Sequence, residues 1–399
     1  MLYRSIPKNK DRLSILGFGC MRLAQTKDKK IDEPRAIKQI RYAIDRGVNY
    51  VDTAWPYHGG ESEIVLGQAL GDGYRDKVKV ATKLPSWMIK TREDMDSYLD
   101  KQLEKLGTEY IDYYLLHSLN GKTWGDLKAL GVTGFLDAAL ADGRIKNAGF
   151  SFHGESDDFK PIVDGYPWIF CQIQYNFFDR EYQAGIKGLK YAAEKKLGVV
   201  IMEPLFGGKL GLPTQPQAVE EIWKRADTRR TPAEWALRWV WNHPEVTVVL
   251  SGMNEESHID ENLSISDKAY PNYLTSVECE LVDEVARKYR GLMKVDCTSC
   301  GYCEPCPEGV KISMVFDIYN MMHLFGKKQE SKFQYAVRLS GLFTESEPGY
   351  ASKCVACGEC VEKCPQNIEI PVCLKEIVNE MEDDQMENHV EQVKKMLKK

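Results

Sequence analysis

Residues 51–63 read VDTAWPYHGGESE, and they join a short apolar run to an amphipathic stretch. The run Tyr50–Ala54 has the length and apolar character of a buried strand, whereas Ser62–Leu70 has apolar residues at helical spacing. Asp52 interrupts the apolar run, and Tyr57 follows five residues later. The stretch therefore predicts one strand-to-helix unit with polar side chains at the end of its strand.

The same unit recurs along the chain. The strand-like runs are Ile15–Met21, Tyr50–Ala54, Val78–Leu84, Ile111–His117, Ile145–Ser151, Trp168–Gln174, Val199–Glu203 and Val246–Ser251. The helical patterns between them include Glu33–Arg46, Ser62–Leu70, Arg92–Leu106, Gly134–Asp142 and Ala184–Lys196. Eight such units predict an α/β fold, the (β/α)8 TIM barrel. A doubly wound sheet is the alternative, but no G-x-G-x-x-G follows the first run.

Local signals predict a hairpin and two helix starts. Leu2–Ile6 with the polar segment Lys8–Arg12 predicts a small hairpin that closes the barrel floor. Thr91, with an acidic residue three positions later, resembles a capping box. Thr231-Pro232-Ala233-Glu234 places a cap before a proline, which is typical of a first helical turn.

Polar residues end three successive predicted strands. Lys83 ends the third run and His117 ends the fourth, as Asp52 ends the second. Barrel active sites form at this face. A carbonyl reductase needs such a set, because hydride addition creates an alkoxide that must receive a proton. Tyr57 would donate it, Lys83 would lower the tyrosine pKa, Asp52 would hold Lys83, and His117 would orient the carbonyl oxygen.

Each of these residues also has a structural interpretation when taken alone. Asp52 and Lys83 would then form an ion pair, and His117 would be a histidine at the edge of the core. The loops Ser86–Lys90, Ser118–Trp124 and Phe206–Pro216 are predicted to set substrate specificity, because the loops after barrel strands carry it.

Eight cysteines form two runs near the C-terminus. They are Cys297-x2-Cys300-x2-Cys303-x2-Cys306-Pro307 and Cys354-x2-Cys357-x2-Cys360-x3-Cys364-Pro365. This spacing predicts two [4Fe–4S] clusters, and the fourth cysteine of each run in two-cluster ferredoxins ligates the other cluster. By that logic the two ligand sets are Cys297, Cys300, Cys303 and Cys364, and Cys354, Cys357, Cys360 and Cys306.

Zinc and disulfides are the alternatives for these cysteines. Structural zinc usually takes two CxxC pairs separated by a longer loop, and a reducing cytosol disfavours disulfides. The first run has x2 instead of x3 before its Cys-Pro, which leaves its ligand geometry open. The isolated cysteines, Cys20, Cys171, Cys279 and Cys373, are predicted to be small core residues.

Length and composition predict two domains and a tail. The 399 residues divide into a barrel over 1–275, a helical [4Fe–4S] domain over 276–375 and a charged tail over 376–399. The chain is 43% hydrophobic with a net charge of −6 and no basic face, which argues against nucleic-acid binding. It has neither a membrane-length apolar run nor a secretory signal, so we expect a cytoplasmic protein without a membrane partner.

Residues 1 to about 290 resemble the aldo-keto reductases. Asp52, Tyr57, Lys83 and His117 match that family's tetrad, and Gly60, Ser62 and Glu63 match its strand-two signature. The resemblance implies reduction of a small carbonyl substrate with NADP(H) or NAD(H). It assigns cofactor binding to Ser151, Gln172, Met202, Ser251, His258, Glu261 and Asn262.

The chain departs from the family pattern at four positions. Phe152 replaces an asparagine, and Met202 replaces the aromatic residue that stacks on nicotinamide. Gly252 and His258 stand where basic residues bind the 2′-phosphate. A neutral histidine does not replace an arginine at a phosphate, so both nucleotides remain open.

The C-terminal extension resembles a helical ferredoxin domain found on some aldo-keto reductase-like proteins. The resemblance implies a carbonyl reductase coupled or tethered to a two-cluster electron-transfer domain. One alternative is a protein that exchanges single electrons with ferredoxin or another redox partner through a flavin bound in the barrel. In the other alternative the clusters are purely structural.

Overall fold

The computed structural model describes residues 1–342 and 347–397. Its strands are β1 Tyr3–Ser5, β2 Arg12–Ser14, β3 Leu16–Gly19, β4 Tyr50–Asp52, β5 Lys79–Leu84, β6 Ile111–Leu119, β7 Ile145–Phe152, β8 Phe170–Gln174, β9 Gly198–Met202 and β10 Val248–Ser251. Strands β3 to β10 close into a barrel in chain order, and every neighbouring pair is parallel. The predicted (β/α)8 barrel is confirmed.

The helices follow each strand of the barrel and continue after its last strand. They are α1 Glu33–Asp45, α2 Ser62–Ala69, α3 Arg92–Leu106, α4 Gly121–Ala129, α5 Val132–Ala141, α6 Ser156–Asp164, α7 Gly185–Glu194, α8 Gln217–Trp223, α9 Pro232–Trp241, α10 Glu256–Ser266, α11 Ser276–Leu292, α12 Ile312–Phe325, α13 Lys328–Leu339, α14 Glu359–Glu362, α15 Ile370–Met381 and α16 Met386–Leu397. The capping box of Thr91 and Asp94 is confirmed, and α9 begins at Pro232.

Several strands are shorter than the apolar runs that predicted them. The first run continues to Met21, but the strand ends at Gly19 because Cys20–Arg22 turn into a 3₁₀ helix. Trp168 precedes the start of β8 and is still completely buried. An apolar run therefore predicts which residues are buried. The hydrogen-bonded strand covers only part of that run.

The N-terminal hairpin forms as predicted, although its second strand lies later in the chain. β1 pairs antiparallel with β2, and β2 begins at Arg12 instead of ending there. Ile6 and Leu13 are completely buried and pack in one cluster with Tyr50 and Phe170, the first residues of β4 and β8. The hairpin therefore closes the end of the barrel at which the strands begin, opposite the polar rim.

The described residues divide into two compact units. The first comprises Met1–Leu205 and Ala233–Ser276, and the second comprises Phe206–Pro232 and Val277–Lys399. The division at residue 276 lies one residue from the predicted domain boundary. Phe206–Pro232, which follow β9 in the chain, group with the second unit, and the sequence pattern did not indicate this.

The second unit is mainly helical. The insert between the cysteine runs forms α12 and α13, and its stripe of apolar residues is buried as predicted: Val315, Ile318, Tyr319, Met322 and Leu324. The predicted charged tail begins within α15 and continues through α16, and residues 398 and 399 lie outside the described residues. None of the helices in the described ranges combines the length and the apolarity that crossing a membrane requires.

Candidate active site and cysteine cavities

Asp52 and Lys83 form a buried ion pair at the carboxyl ends of neighbouring strands. The Lys83 ammonium donates to the Asp52 carboxylate at 2.5 Å and to the backbone carbonyl of Thr53 at 2.8 Å. Their side chains are only 1% and 3% exposed. Burial raises the pKa of Asp52, and the nearby Lys83 charge opposes that rise. These two hydrogen bonds hold the lysine in place. Separating the pair would be costly, because it would leave a buried charge unpaired.

Tyr57 lies beside this ammonium. Its phenol oxygen is 3.5 Å from Lys83 Nζ, and Nζ is 5.1 Å from the centre of the tyrosine ring. A tight turn delivers the ring, because His58 adopts a left-handed backbone conformation with φ of 52°. The Leu23 backbone N–H donates to His58 Nε2 at 3.1 Å, which secures the turn. The ammonium of Lys83 is therefore close enough to favour the phenolate of Tyr57, as a tyrosine that acts as a proton donor requires.

The end of the opening stretch holds α2 against the strand ends. The hydroxyls of Ser62 and Thr53 share a hydrogen bond of 2.9 Å. The carboxylate of Glu63 accepts hydrogen bonds from Thr82 at 2.7 Å and from Gln102 at 2.6 Å. Ser62 and Glu63 are completely buried, so their role is to position the turn that carries Tyr57.

His117 lies near the end of β6 and faces the tyrosine. The ring centres of His117 and Tyr57 are 6.1 Å apart, and the two ring planes are nearly perpendicular. Trp87 also packs against His117, with its ring centre 5.1 Å from that of the imidazole. Burial lowers the pKa of His117 well below its usual value, and the Lys83 charge, like that of a protonated His153, acts in the same direction. The imidazole is therefore neutral and can donate a hydrogen bond without carrying charge.

Ser151 and Gln172 lie side by side on β7 and β8. They are paired in the parallel register, and the Ser118 backbone N–H donates to Ser151 Oγ at 2.7 Å. The Gln172 amide nitrogen donates to Asp52 at 3.5 Å. Its amide oxygen is buried and has no hydrogen-bond partner among the residues that the structure describes. An unpaired buried acceptor costs about 1–3 kcal/mol, so this atom is suited to receive a ligand N–H.

The other predicted cofactor residues differ in burial: Ser251 and Asn262 are buried, Met202 and Glu261 are partly exposed, and His258 is exposed. Met202 and Ser251 are the last residues of β9 and β10, and Asn262 donates to Ser251 Oγ at 3.0 Å. His258 is exposed in the first part of α10, and Glu261 is partly exposed on the same helix. The structure thus brings Ser251 and Asn262 together at the rim and leaves His258 facing solvent.

His153 belongs to the tetrad region and the sequence pattern missed it. It directly follows β7, and its Nδ1 lies 3.3 Å from the Gln183 amide nitrogen. Its charge would act on His117, and the Lys83 charge acts on it. A histidine two residues after Ser151, at the end of a predicted strand, was the available signal.

We expect His153 to remain neutral at mildly acidic pH. Burial lowers the pKa of His153 to about 4. The unfolded chain binds this proton near its ordinary pKa of about 6.5, so the free energy of unfolding rises with pH between these two values. The contribution is complete above about pH 6.5 and is lost as the pH falls towards about 4.

An NMR titration of isotope-labelled histidine rings measures this directly. The spectrum of a His153→Gln variant identifies the resonance. A ring that titrates near about pH 6.5 would contradict the lowered pKa of His153.

The eight cysteines of the two runs line two cavities in the second unit. The first cysteine cavity is lined by Cys297, Cys300, Cys303 and Cys364, and the second cysteine cavity is lined by Cys306, Cys354, Cys357 and Cys360. Each cavity thus combines three cysteines of one run with the last cysteine of the other. This is the pairing that the ferredoxin spacing predicts, and it holds for the first run despite its shorter x2 gap.

The cysteines of each cavity can supply the ligands of one cluster. A [4Fe–4S] cube takes one thiolate at each of four irons, and each cavity is lined by four cysteines. Burial raises the pKa of Cys297, and the Lys209 ammonium opposes that rise. The donor set and the cavities therefore fit two iron–sulfur clusters.

The chain matches two family models. One is described as the aldo/keto reductase family and matches residues 15–276, and the other is described as a 4Fe-4S dicluster domain and matches residues 296–369. A probable aldo-keto reductase 1 of Glycine max is 28% identical over 343 residues, which are 75% of this chain and 95% of that protein. Aldo-keto reductase YhdN of Bacillus subtilis (strain 168) is 27% identical over 299 residues, 65% of this chain and 87% of that protein.

Solved structures share the barrel. The holo form of aldo-keto reductase AKR11C1 from Bacillus halodurans has a TM-score of 0.60 at 23% identity, covering 71% of this chain and 96% of that chain. An aldo-keto reductase from Klebsiella pneumoniae in complex with NADPH has a TM-score of 0.57 at 23% identity, covering 72% and 96%. At these identities the likeness shows the fold alone.

Proposed function

Because the chain belongs to the aldo/keto reductase family, we propose that it reduces an aldehyde or ketone to the alcohol, with a hydride from NAD(P)H and a proton from Tyr57. The observation that carries the proposal is the contact of a buried Asp52–Lys83 pair with the phenol of Tyr57. An ion pair that served only stability would need no ionisable phenol at its open side. The neutral His117 beside the phenol supplies a hydrogen bond for the carbonyl oxygen.

The proton transfer follows from these contacts. Bound nicotinamide nucleotide supplies the hydride, and the carbonyl oxygen that gains negative charge takes the phenol proton of Tyr57. Lys83 stabilises the phenolate that remains, while Asp52 and the Thr53 carbonyl keep the ammonium in position. A positioned acid contributes about 10²–10⁴-fold to the rate, and one proton from water restores Tyr57.

Ser151 and Gln172 fit the carboxamide of nicotinamide. A primary amide needs an acceptor for its N–H groups and a donor for its oxygen. The buried Gln172 amide oxygen offers the acceptor. The Ser151 hydroxyl already accepts from Ser118, so its own proton is available as the donor. Met202, Ser251, His258, Glu261 and Asn262 would hold the remainder of the nucleotide.

The identity of the nucleotide is part of the test. The Klebsiella pneumoniae relative was solved with NADPH. In this chain the first turn of α10 is acidic, because Glu255 and Glu256 stand there, both paired with Arg35 at 2.6 and 2.5 Å. These carboxylates would repel the 2′-phosphate that distinguishes NADPH from NADH, and the Arg35 charge would offset part of that repulsion. Both NADPH and NADH are therefore to be compared.

Deuteride transfer tests the proposed reaction. Anaerobically purified protein is incubated with 4-nitrobenzaldehyde and with NADPH or NADH that carries deuterium at C4 of the transferring face. We expect one deuterium at the carbinol carbon for each nucleotide oxidised. Oxidation of the nucleotide without deuterium in the alcohol would overturn direct hydride transfer.

The cysteine cavities favour a second function beside the first. We infer that they hold two [4Fe–4S] clusters and exchange single electrons with a ferredoxin or another redox partner. Two clusters together hold two electrons, one each, whereas a carbonyl takes up a hydride, so electron exchange with the barrel requires a two-electron carrier such as a flavin.

Cofactor extraction from the anaerobic protein separates these functions. Flavin in the extract, together with carbonyl reduction by reduced ferredoxin in the absence of nicotinamide nucleotide, supports electron transfer into the barrel. Reduction with nicotinamide nucleotide alone, by protein whose clusters stay oxidised, supports clusters that act separately from the barrel or stabilise the fold.

A further inference from the structure

Lys209 is a buried cation in the segment that follows β9. The sequence placed this segment among the substrate loops of the barrel, but Phe206–Pro232 belong to the unit that holds the cysteines. The Lys209 side chain is only 5% exposed. Burying an ammonium is unfavourable unless its donors and its charge are compensated, so its surroundings indicate what holds it there.

The ammonium points into the first cysteine run. Lys209 Nζ donates to the backbone carbonyl of Cys297 at 3.0 Å and to Ser299 Oγ at 3.2 Å. The Asp317 carboxylate lies 3.5 Å from Nζ and is 44% exposed, so water screens its attraction to the Lys209 charge. The positive charge therefore lies against the backbone of Cys297, which lines the first cysteine cavity, and a partly exposed carboxylate offsets part of that charge.

The backbone beside Lys209 is shaped to approach the same run. Gly207 has a φ of +66°, and a Cβ at this position would lie 2.3 Å from the backbone oxygen of Thr298. Only glycine fits both the left-handed conformation and this contact. Gly207 therefore allows the chain to bring Lys209 against the residues that follow Cys297.

We propose that Lys209 raises the reduction potential of the cluster bound by Cys297, Cys300, Cys303 and Cys364. The inference rests on the proposed clusters. Reduction adds one negative charge to a cluster, and a fixed cation in a poorly hydrated wall stabilises the reduced form. The second cysteine cavity has a different charge, because its charged lining residue is Glu308. Lys209 thus makes the two clusters electronically unequal and favours the first as the electron acceptor.

An EPR-monitored redox titration of the full-length anaerobic protein tests this inference. We expect Lys209→Met to lower one of the two midpoint potentials by about 59 mV, which is a tenfold change in the equilibrium constant for one-electron reduction. Lys209→Arg keeps the charge and should stay near the wild type. Asp317→Asn removes the opposing carboxylate and should raise the same potential, while the other cluster is unchanged in every variant.

The outcomes are distinguishable. If Lys209→Met keeps both clusters and neither potential moves, the inference is wrong. If this variant loses a cluster, Lys209→Gln decides, because it removes the charge and keeps an N–H donor for the Cys297 carbonyl, and an unshifted potential in that variant overturns the inference. Two midpoint potentials in the wild type that no variant shifts leave the cluster assignment intact and reject only the role of Lys209. A wild-type protein without two clusters overturns the proposed clusters first.

Discussion

The Tyr57→Phe variant is expected to lose about 10²–10⁴-fold in kcat for carbonyl reduction, which is the range that a positioned acid contributes. Phenylalanine keeps the ring that packs edge-on to His117 and removes only the hydroxyl, which lies 3.5 Å from Lys83. The hydride donor and the Ser151–Gln172 pair are untouched. Steady-state kinetics with a saturating nucleotide should therefore show the loss in kcat, and nucleotide affinity should stay nearly unchanged.

This substitution is a cleaner test than removal of the lysine. Lys83→Met would leave the buried Asp52 carboxylate unpaired, and breaking a buried pair costs about 3–5 kcal/mol. A loss of activity in that variant would therefore mix misfolding with chemistry. Tyr57→Phe removes a hydroxyl without stranding a charge.

A matched control isolates the position of the hydroxyl. Tyr42 lies on the exposed face of α1, where its hydroxyl bonds Asp260 at 2.7 Å. Tyr42→Phe removes the same atom from the same barrel and should keep full activity. If Tyr57→Phe also retains the wild-type kcat, the proton donor has been assigned to the wrong residue.

The rim of the barrel was readable from the sequence because parallel strands align their ends. Asp52, Lys83 and His117 each follow or close an apolar run, and eight parallel strands bring those ends to one face. The contact between Asp52 and Lys83 then follows from the adjacency of β4 and β5. Local pattern and topology agree here, so no tertiary detail was needed.

Other parts of the molecule depend on packing that no local pattern encodes. The sequence predicts a substrate loop of the barrel over Phe206–Pro216, yet Phe206–Pro232 group with the cysteine unit, in which Gly207 and Lys209 contact the first cysteine run. His153 has the same difficulty. Its lowered pKa arises from burial, which a single histidine after a strand does not reveal.

The cysteine pairing was predictable because the spacing restricts which thiolates can share a cube. In two-cluster ferredoxins three cysteines at x2 intervals ligate one cluster, and the proline-flanked fourth ligates the other. The two cavities follow this rule, with Cys364 beside the first run and Cys306 beside the second. Under the proposed ligation each run would depend on the other.

Replacing Cys364 with alanine should therefore abolish the cluster of the first run, although Cys364 belongs to the second. Iron should fall from about eight to about four atoms for each chain. Alkylation followed by mass spectrometry identifies the lost cluster: Cys297, Cys300 and Cys303 should become reactive, while Cys354, Cys357 and Cys360 stay protected. Cys306→Ala should give the opposite labelling, because that cysteine lies in the second cavity.

The labelling pattern decides between crossed and uncrossed ligation, which iron content alone does not. Cys373 is the matched control, since it lies on α15 of the same unit but lines neither cavity, so Cys373→Ala should retain about eight irons. Uncrossed ligation would expose Cys354, Cys357 and Cys360 in the Cys364→Ala protein. Burial raises the pKa of Cys297 and Cys303, so the alkylation rate of these two thiols in the Cys364→Ala protein should also rise steeply with pH.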